Sequence, residues 1–433
     1  MSRVILASLL LLQVAATGHA QGEPAAKLPP YDPAKAREAA RIQDPKAATR
    51  AYLQAVSAER RAMTKSYALG EYFLTLTGYC VTSLILLGIL GSGLSARLRN
   101  WAQRRTRFRA LQTVIYSALF LLLLSLLSFP LTWYRSYYRA TSYGLLHQSF
   151  AGWLVDQTKG LAILLVIVPL LLVVLYAVVR CTPRTWWLWG WLVVVGFAVV
   201  GMAIAPVFLS PLFNKFTPVQ DANIRERVLK LAHEQHVPAD DVYEMDASRR
   251  TDNIGAYVAG MLGTTRIVLF DNLLKRCTPE QIEMVMSHEM GHYVLNHIWK
   301  DVGIFSVVAL AGFLCVRWAF ARILASWPAA GIKDSADVAG LPLLIFLFMT
   351  ISFLTAPLLN GWSRTVEMQA DTFGLNACRQ PDAAATTFLM LGEYRELDPH
   401  PVAEFLFFDH PSGQNRIRNA LEWKKAHKEK GES

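Results

Sequence analysis

His288-Glu289-Met290-Gly291-His292 places two imidazoles and a carboxylate within one helical turn. Residues four apart share a helix face, so His288 and His292 can clamp one metal ion between them. Glu289 then projects beside that ion, where a carboxylate can take a proton from a water the metal holds. The surrounding run reads as helix. Thr278-Pro279-Glu280-Gln281 supplies an N-cap threonine, a proline at the first helical position and a glutamine three residues after the cap. Ile282, Val285 and Met286 follow at helical spacing and give the segment an apolar side.

A hydrolytic zinc centre of this kind needs a third protein ligand and an open position. Glu367-Met368-Gln369-Ala370-Asp371 carries two acids four apart, again on one helical face. Glu367 would complete a His₂Glu set. Asp371, one turn on, is placed to accept the spare ring proton of a ligating histidine. Two imidazoles and a carboxylate with an open position suit one Zn²⁺ per chain. His297 lies five residues after His292, off the ligand face, and reads as structural. His233 and His236 read as solvated.

At these residues the chain resembles the M48 family of membrane zinc peptidases, in its Ste24 or CAAX prenyl protease branch. The likeness runs from the membrane helices to about residue 420. It includes Pro211-Leu212-Phe213-Asn214-Lys215-Phe216-Thr217-Pro218 and Arg266-Ile267-Val268-Leu269-Phe270-Asp271. It continues through Ser363-Arg364-Thr365-Val366-Glu367-Met368-Gln369-Ala370-Asp371, and through His410-Pro411 with Arg416. The resemblance implies that Asp371 orients His288 and that His410 donates to a tetrahedral oxyanion. Arg364 and Arg416 would pair with acids around the site or satisfy helix ends. The run Gly255-Ala256-Tyr257 stands where the family usually has Asn-Ala-Tyr, an asparagine that holds substrate backbone. Either Asn253 substitutes for it or the contact is missing, so the resemblance does not carry strict prenyl-peptide specificity with it. The segment would bind peptide as an added strand or serve as a plain core strand.

The function implied is that of an integral-membrane zinc metalloendopeptidase, with Glu289 as general base. Its substrate would be a peptide or protein, lipidated or membrane-associated. An HtpX-like quality-control protease and a catalytically silent membrane scaffold are the alternatives. An intramembrane site-2-type protease is set aside, because Gln281, Glu283, Ser287 and Asn296 make the motif helix too polar.

The elements that must position these residues read as mainly α. The fold class expected is a polytopic α-helical membrane protein with a zincin-like HExxH metalloprotease domain containing a small β-sheet. Apolar residues make up 53% of the 433 and charged ones only 18%, a balance unlike that of a soluble protein of this size. Hydrophobic runs place spans at about 70–96, 110–132, 158–180, 186–209, 302–326 and 338–360, each near the ~20 residues a bilayer requires. Trp186, Trp187, Trp189 and Trp191 open the fourth, as interfacial aromatics do. An amphipathic helix is expected near 221–235, and strands at Asp241–Met245, Ala256–Met261 and Arg266–Phe270. Leu262-Gly263-Thr264-Thr265 reads as the tight turn joining the last two.

Arg3, the apolar run Val4–Ala16 and Gly18-His19-Ala20 read as a cleaved secretory signal, with an uncleaved first span as the alternative. The expected order is therefore signal (1–20), extramembrane segment (21–65), four membrane helices (66–209), first part of the protease domain (210–300), two membrane helices (301–360), and second part with the third ligand and a basic tail (361–433). Residues 21–50, rich in alanine, proline and charge, read as mobile. A secretory signal puts 21–65 outside, which leaves Arg97, Arg99, Arg104, Arg105, Arg107 and Arg109 on the cytoplasmic side. The metal domain then faces the periplasm of a bacterial inner membrane; the eukaryotic members of the family imply the cytoplasmic face instead. The net charge of +10, partly from Lys424, Lys425, Lys428 and Lys430, serves topology and anionic membrane lipid, and no nucleic-acid module is present. The five cysteines lie at no zinc-ligand spacing and form no disulfide framework.

Overall fold

The structure, a computed structural model, describes residues 29–259 and 265–430. The expected signal segment, the last two residues of the strand expected at Ala256–Met261 and most of the turn expected at Leu262–Thr265 lie outside the described residues. Among those described, all five cysteines are free.

Helices α1 (Pro33–Ala39) and α2 (Pro45–Gln54) open the chain. Asp32 and Asp44 cap them through their side chains, each followed by a proline at the first helical position. This stretch was expected to be mobile and is instead part of a core. Ala36, Ala39, Ala48 and Tyr52 are buried, packed with Phe388, Leu389, Ile417 and Leu421 from the far end of the chain. Small alanines on one face let the helices approach closely, a pattern that composition alone reads as disorder.

Among the described residues, six helices are long and apolar enough to cross a membrane. They comprise α3 (Ala58–Gly91), α5 (Arg109–Trp133, continuing through a π-helical turn to Ser142), α6 (Phe150–Cys181), α7 (Trp186–Ile204, continuing to Leu212), α11 (His297–Ser326) and α12 (Leu341–Cys378). Between α3 and α5 lies α4 (Leu94–Arg105). Leu86, Leu90, Tyr116, Phe120, Tyr176 and Phe313 form the core of the bundle. Leu126, Val166, Leu354 and Leu358 remain exposed, as apolar side chains in a lipid-spanning bundle can. At one end, Arg99 forms a buried ion pair with Asp337, and Ser95 hydrogen-bonds both Tyr116 (2.7 Å) and the Ala339 carbonyl (2.7 Å).

The extramembrane part opens with β1 (Phe216–Pro218), α8 (Ala222–Glu234), β2 (Val242–Met245), β3 (Ala256–Ala259) and β4 (Arg266–Phe270). The strands form one sheet in the order β1-β2-β4-β3, with β2 parallel to β4 and the other pairs antiparallel. Strand β1 was not anticipated; three residues ending in a proline carry little periodicity. After α9 (Asp271–Arg276) comes α10 (Pro279–Val294), whose capping box between Thr278 and Gln281 is formed in both directions. The chain closes with α13 (Pro381–Leu391), α14 (Pro401–Phe407) and α15 (Gly413–Glu429).

The boundary expected at residue 361 does not correspond to a break. Helix α12 is continuous from its membrane portion through Glu367 and Asp371. Because α1 and α2 pack on α13 and α15, and an even number of spans separates each extramembrane piece, the N-terminal segment and both parts of the protease domain lie on one side of the membrane.

Candidate metal centre

Helix α10 presents His288, Glu289 and His292, and α12 presents Glu367 and Asp371. The two helices meet at glycines. A Cβ on Gly374 of α12 would lie 3.1 Å from the backbone nitrogen of His288, and one on Gly291 of α10 would lie 3.3 Å from Cα of Ala370. A side chain at either crossing would make the facing backbone give by a few tenths of an ångström.

The Nε2 atoms of His288 and His292 lie 3.1 Å apart. Glu367 offers Oε2 at 3.4 Å from the first and Oε1 at 3.5 Å from the second. One ligand atom from each of His288, His292 and Glu367 lies within 4.8 Å of the others, close enough for the three to hold one metal ion. Glu367 Oε2 is buried and receives no hydrogen bond. The imidazoles respond to the same geometry. Burial works against a charged His288, yet Asp371 and Glu367 overcome it and raise its pKa, while burial beside His288 depresses that of His292.

Behind His288, Nδ1 lies 2.8 Å from Asp371 Oδ1. Asp371 in turn accepts two hydrogen bonds from Arg416 of α15, 2.8 Å from Nε and 2.5 Å from a terminal nitrogen. Both members of that pair are buried, and the Arg416 guanidinium also stacks 4.3 Å over the Phe388 ring. Arg364 serves another purpose: it donates to the carbonyls of Glu404 (2.9 Å) and Phe408 (2.5 Å), holding the end of α14 just before His410.

His410 brings Nε2 to 3.4 Å from Glu367 Oε2, and its Nδ1 is tied to Asp409 at 2.8 Å. That bond holds the Asp409 carboxyl down at about 2. His410 and Glu289 line a cavity of about 170 Å³ together with His288, Glu367, Ile254, Gly255 and Arg416. Burial pushes the Glu289 carboxyl up to about 7; His288 opposes the shift and Glu367 adds to it.

Strand β3 lies at the edge of the sheet, paired only with β4. Ala256 and Tyr257 pair with Leu269 and Val268, and the Tyr257 ring meets Phe270 edge-on at 6.4 Å. Gly255 reaches the cavity wall. A Cβ there would lie 3.0–3.4 Å from the Phe270 ring, so an asparagine at 255 would require that ring to move. Asn253 is held by its backbone, its carbonyl accepting from Asn272 (3.2 Å) and its N–H donating to Thr251 (3.2 Å).

Several residues around the site were not anticipated. Thr387, Phe388, Leu391, Tyr394 and Arg395 form the opposite wall of the cavity, contributed by α13 and the loop after it. His297 was read as structural because five residues along a helix is off the face of His292. The helix breaks, however, at Asn296, whose φ of +56° is left-handed. His297 therefore folds back, with Nδ1 3.0 Å from His292 Nδ1 and Nε2 3.1 Å from Gln369 Oε1. Asparagine, tolerant of that conformation, was the one available signal.

The sequence matches the Peptidase family M48 over residues 218–424, and the CAAX prenyl protease N-terminal region, described as five membrane helices, over 41–215. It is 32% identical over 362 residues to an uncharacterized metalloprotease, YhfN, of Bacillus subtilis, covering 83% of this chain and 85% of that one. It is 28% identical over 339 residues to CAAX prenyl protease 1 of Saccharomyces cerevisiae, covering 72% and 73%. The crystal structure of Ste24p from S. mikatae superposes with a TM-score of 0.72 at 20% identity, covering 89% of this chain and 93% of that one. The chain thus belongs to peptidase family M48, as a multi-pass membrane metalloendopeptidase of the Ste24/CAAX prenyl protease type.

Proposed function

We propose that this chain hydrolyses peptide bonds of membrane-associated proteins at one zinc ion held by His288, His292 and Glu367. The observation that carries the reading is the convergence of His288, His292 and Glu367, one ligand atom of each within 4.8 Å of the others, on a cavity that also contains Glu289. When bound, the zinc supplies Lewis acidity toward the scissile carbonyl and the attacking water. Glu289 takes the proton of that water and returns it to the leaving amine. Asp371, itself held by Arg416, keeps Nε2 of His288 free of hydrogen and aimed at the metal. His410 faces the oxygen on which charge develops, and Asp409 fixes which of its nitrogens does so. The free edge of β3 takes the substrate backbone as an added strand, with Gly255, Ala256 and Tyr257 alongside the scissile bond and Asn253 at the approach to it.

The lipid on a substrate is an option here rather than a requirement. Gly255 supplies no side-chain amide to fix the peptide, and the Phe270 ring lies where such a side chain would need room. The test is cleavage of a farnesylated CAAX peptide and its unmodified twin by detergent-purified protein, with chelator and Glu289→Gln controls. We expect zinc-dependent cleavage of both at similar rates. Cleavage confined to the farnesylated peptide would overturn the lipid-independent reading while leaving the metal site intact.

The site faces away from the cytoplasm, into the periplasm in a Gram-negative inner membrane. The three short connections on the side opposite the protease domain each carry basic residues: Arg97, Arg104, Arg105 and Arg107 in the first, Arg184 in the second and Lys333 in the third. The short connection 143–149 on the protease side carries no lysine or arginine. Short loops of this kind set orientation, with the basic side cytoplasmic.

A further inference from the structure

We infer that His297 and Gln369 form a positioning relay for the second histidine of the metal centre. This rests on the proposal that His292 is a ligand. Nε2 of His292 faces Nε2 of His288 and Oε1 of Glu367. A nitrogen that binds metal carries no hydrogen, so the ring hydrogen of His292 sits on Nδ1. The partner of that Nδ1 is Nδ1 of His297, 3.0 Å away, which must accept. His297 therefore carries its own hydrogen on Nε2, where Gln369 Oε1 accepts it at 3.1 Å. One ligand assignment settles every hydrogen along the chain.

The two halves of the centre are thereby held by different chemistry. His288 is backed by the carboxylate of Asp371, itself neutralised by Arg416. His292 is backed by a neutral imidazole and a neutral amide, which orient the ring without adding negative charge to a site that already holds Glu289, Glu367 and Asp371. The relay also joins the metal-bearing elements. Gln369 lies on α12 between Glu367 and Asp371, and His297 begins α11, so α10, α11 and α12 are tied around one imidazole. His297 is 1% exposed, which leaves its polar atoms no solvent alternative to these two partners.

The test is the zinc dissociation constant of the purified full chain, measured by competition with a chromophoric chelator. His297→Leu removes both polar atoms at similar volume and is expected to weaken zinc binding about 10–100-fold. His297→Asn retains an acceptor at the position of Nδ1 and should restore most of the affinity. His297→Gln reaches toward Gln369 but not His292 and should not. Thermal melting of the metal-free variants separates a metal effect from a folding defect. If the leucine variant does not fold, the asparagine–glutamine pair decides. Equal zinc affinity in the foldable variants and wild type would overturn the relay. His292→Ala is the control for the reading beneath it. Zinc bound as tightly to that variant as to wild type would mean that His292 is not a ligand, a failure distinct from that of His297.

Discussion

Glu289, the proposed general base, lies in surroundings that resist its ionisation. Its replacement by glutamine keeps shape and hydrogen-bonding capacity but not basicity. The expected result is a fall in kcat of about 10²–10⁴-fold with zinc content unchanged, read by steady-state kinetics beside metal analysis. The same residue sets a pH limit. Its carboxyl lies at about 7 when burial acts without a metal, against 4.5 for an ordinary glutamate. Only the carboxylate works as a base, so activity falls as the pH drops through its pKa. A bound cation favours the carboxylate and moves that limb downward, into the window between 4.5 and 7. A profile of kcat/KM that stays flat down to pH 4.5 would exclude Glu289 as the limiting base.

Positioning of the centre depends on how α10, α12 and α15 meet. Gly374 lets α12 approach the backbone of His288, and a valine there must push the two helices apart. Overpacking of this kind costs about 1–3 kcal/mol. Since Glu367 and Asp371 ride on the same helix, Gly374→Val is expected to weaken zinc binding as well as lower the melting temperature. A variant that is less stable but binds zinc normally would show that the crossing does not control the ligand spacing. Arg416 joins α15 to the same crossing. Arg416→Ala leaves the Asp371 carboxylate, 1% exposed, with the Nδ1 of His288 as its remaining side-chain hydrogen-bond partner. Removing one member of a buried ion pair typically costs about 3–5 kcal/mol, which a chemical-denaturation or melting comparison in detergent would register.

For the molecule as a whole, the first described helices, α1 and α2, share one core with α13 and α15. Tyr52 is fully buried among residues of α13 and α15, and its hydroxyl donates to Asp382 at 3.1 Å. Tyr52→Ala is expected to cost about 3–5 kcal/mol, the range for large aromatic truncations in a core. Limited proteolysis should then release fragments from α13–α15, far from the substitution in sequence. The same arrangement predicts labelling. Cysteines introduced at the exposed positions Lys35 and Lys425 should react with a membrane-impermeant maleimide from one side, and one at Arg104 only from the other. In sealed vesicles of known orientation, the experiment also tells whether the protease domain is periplasmic.

Much of the chemistry was written locally. The spacing His288-Glu289-x-x-His292, the cap at Thr278 and the long apolar runs each depend on neighbours along the chain, so sequence alone determined the capped helix that carries the candidate ligands and, among the described residues, six helices apolar enough to cross a membrane. Glu367 and Asp371 were legible because they too share a helix face. Contacts between separate elements were not. Packing the N-terminal alanines against α15 needs partners more than 300 residues away, and the cavity wall from Thr387 to Arg395 is defined only once α13 faces α10. His297 marks the boundary most clearly. Counted along an ideal helix it points away from His292; the left-handed residue at Asn296 reverses it. The local code names the groups that can do chemistry, and long-range packing decides which of them meet.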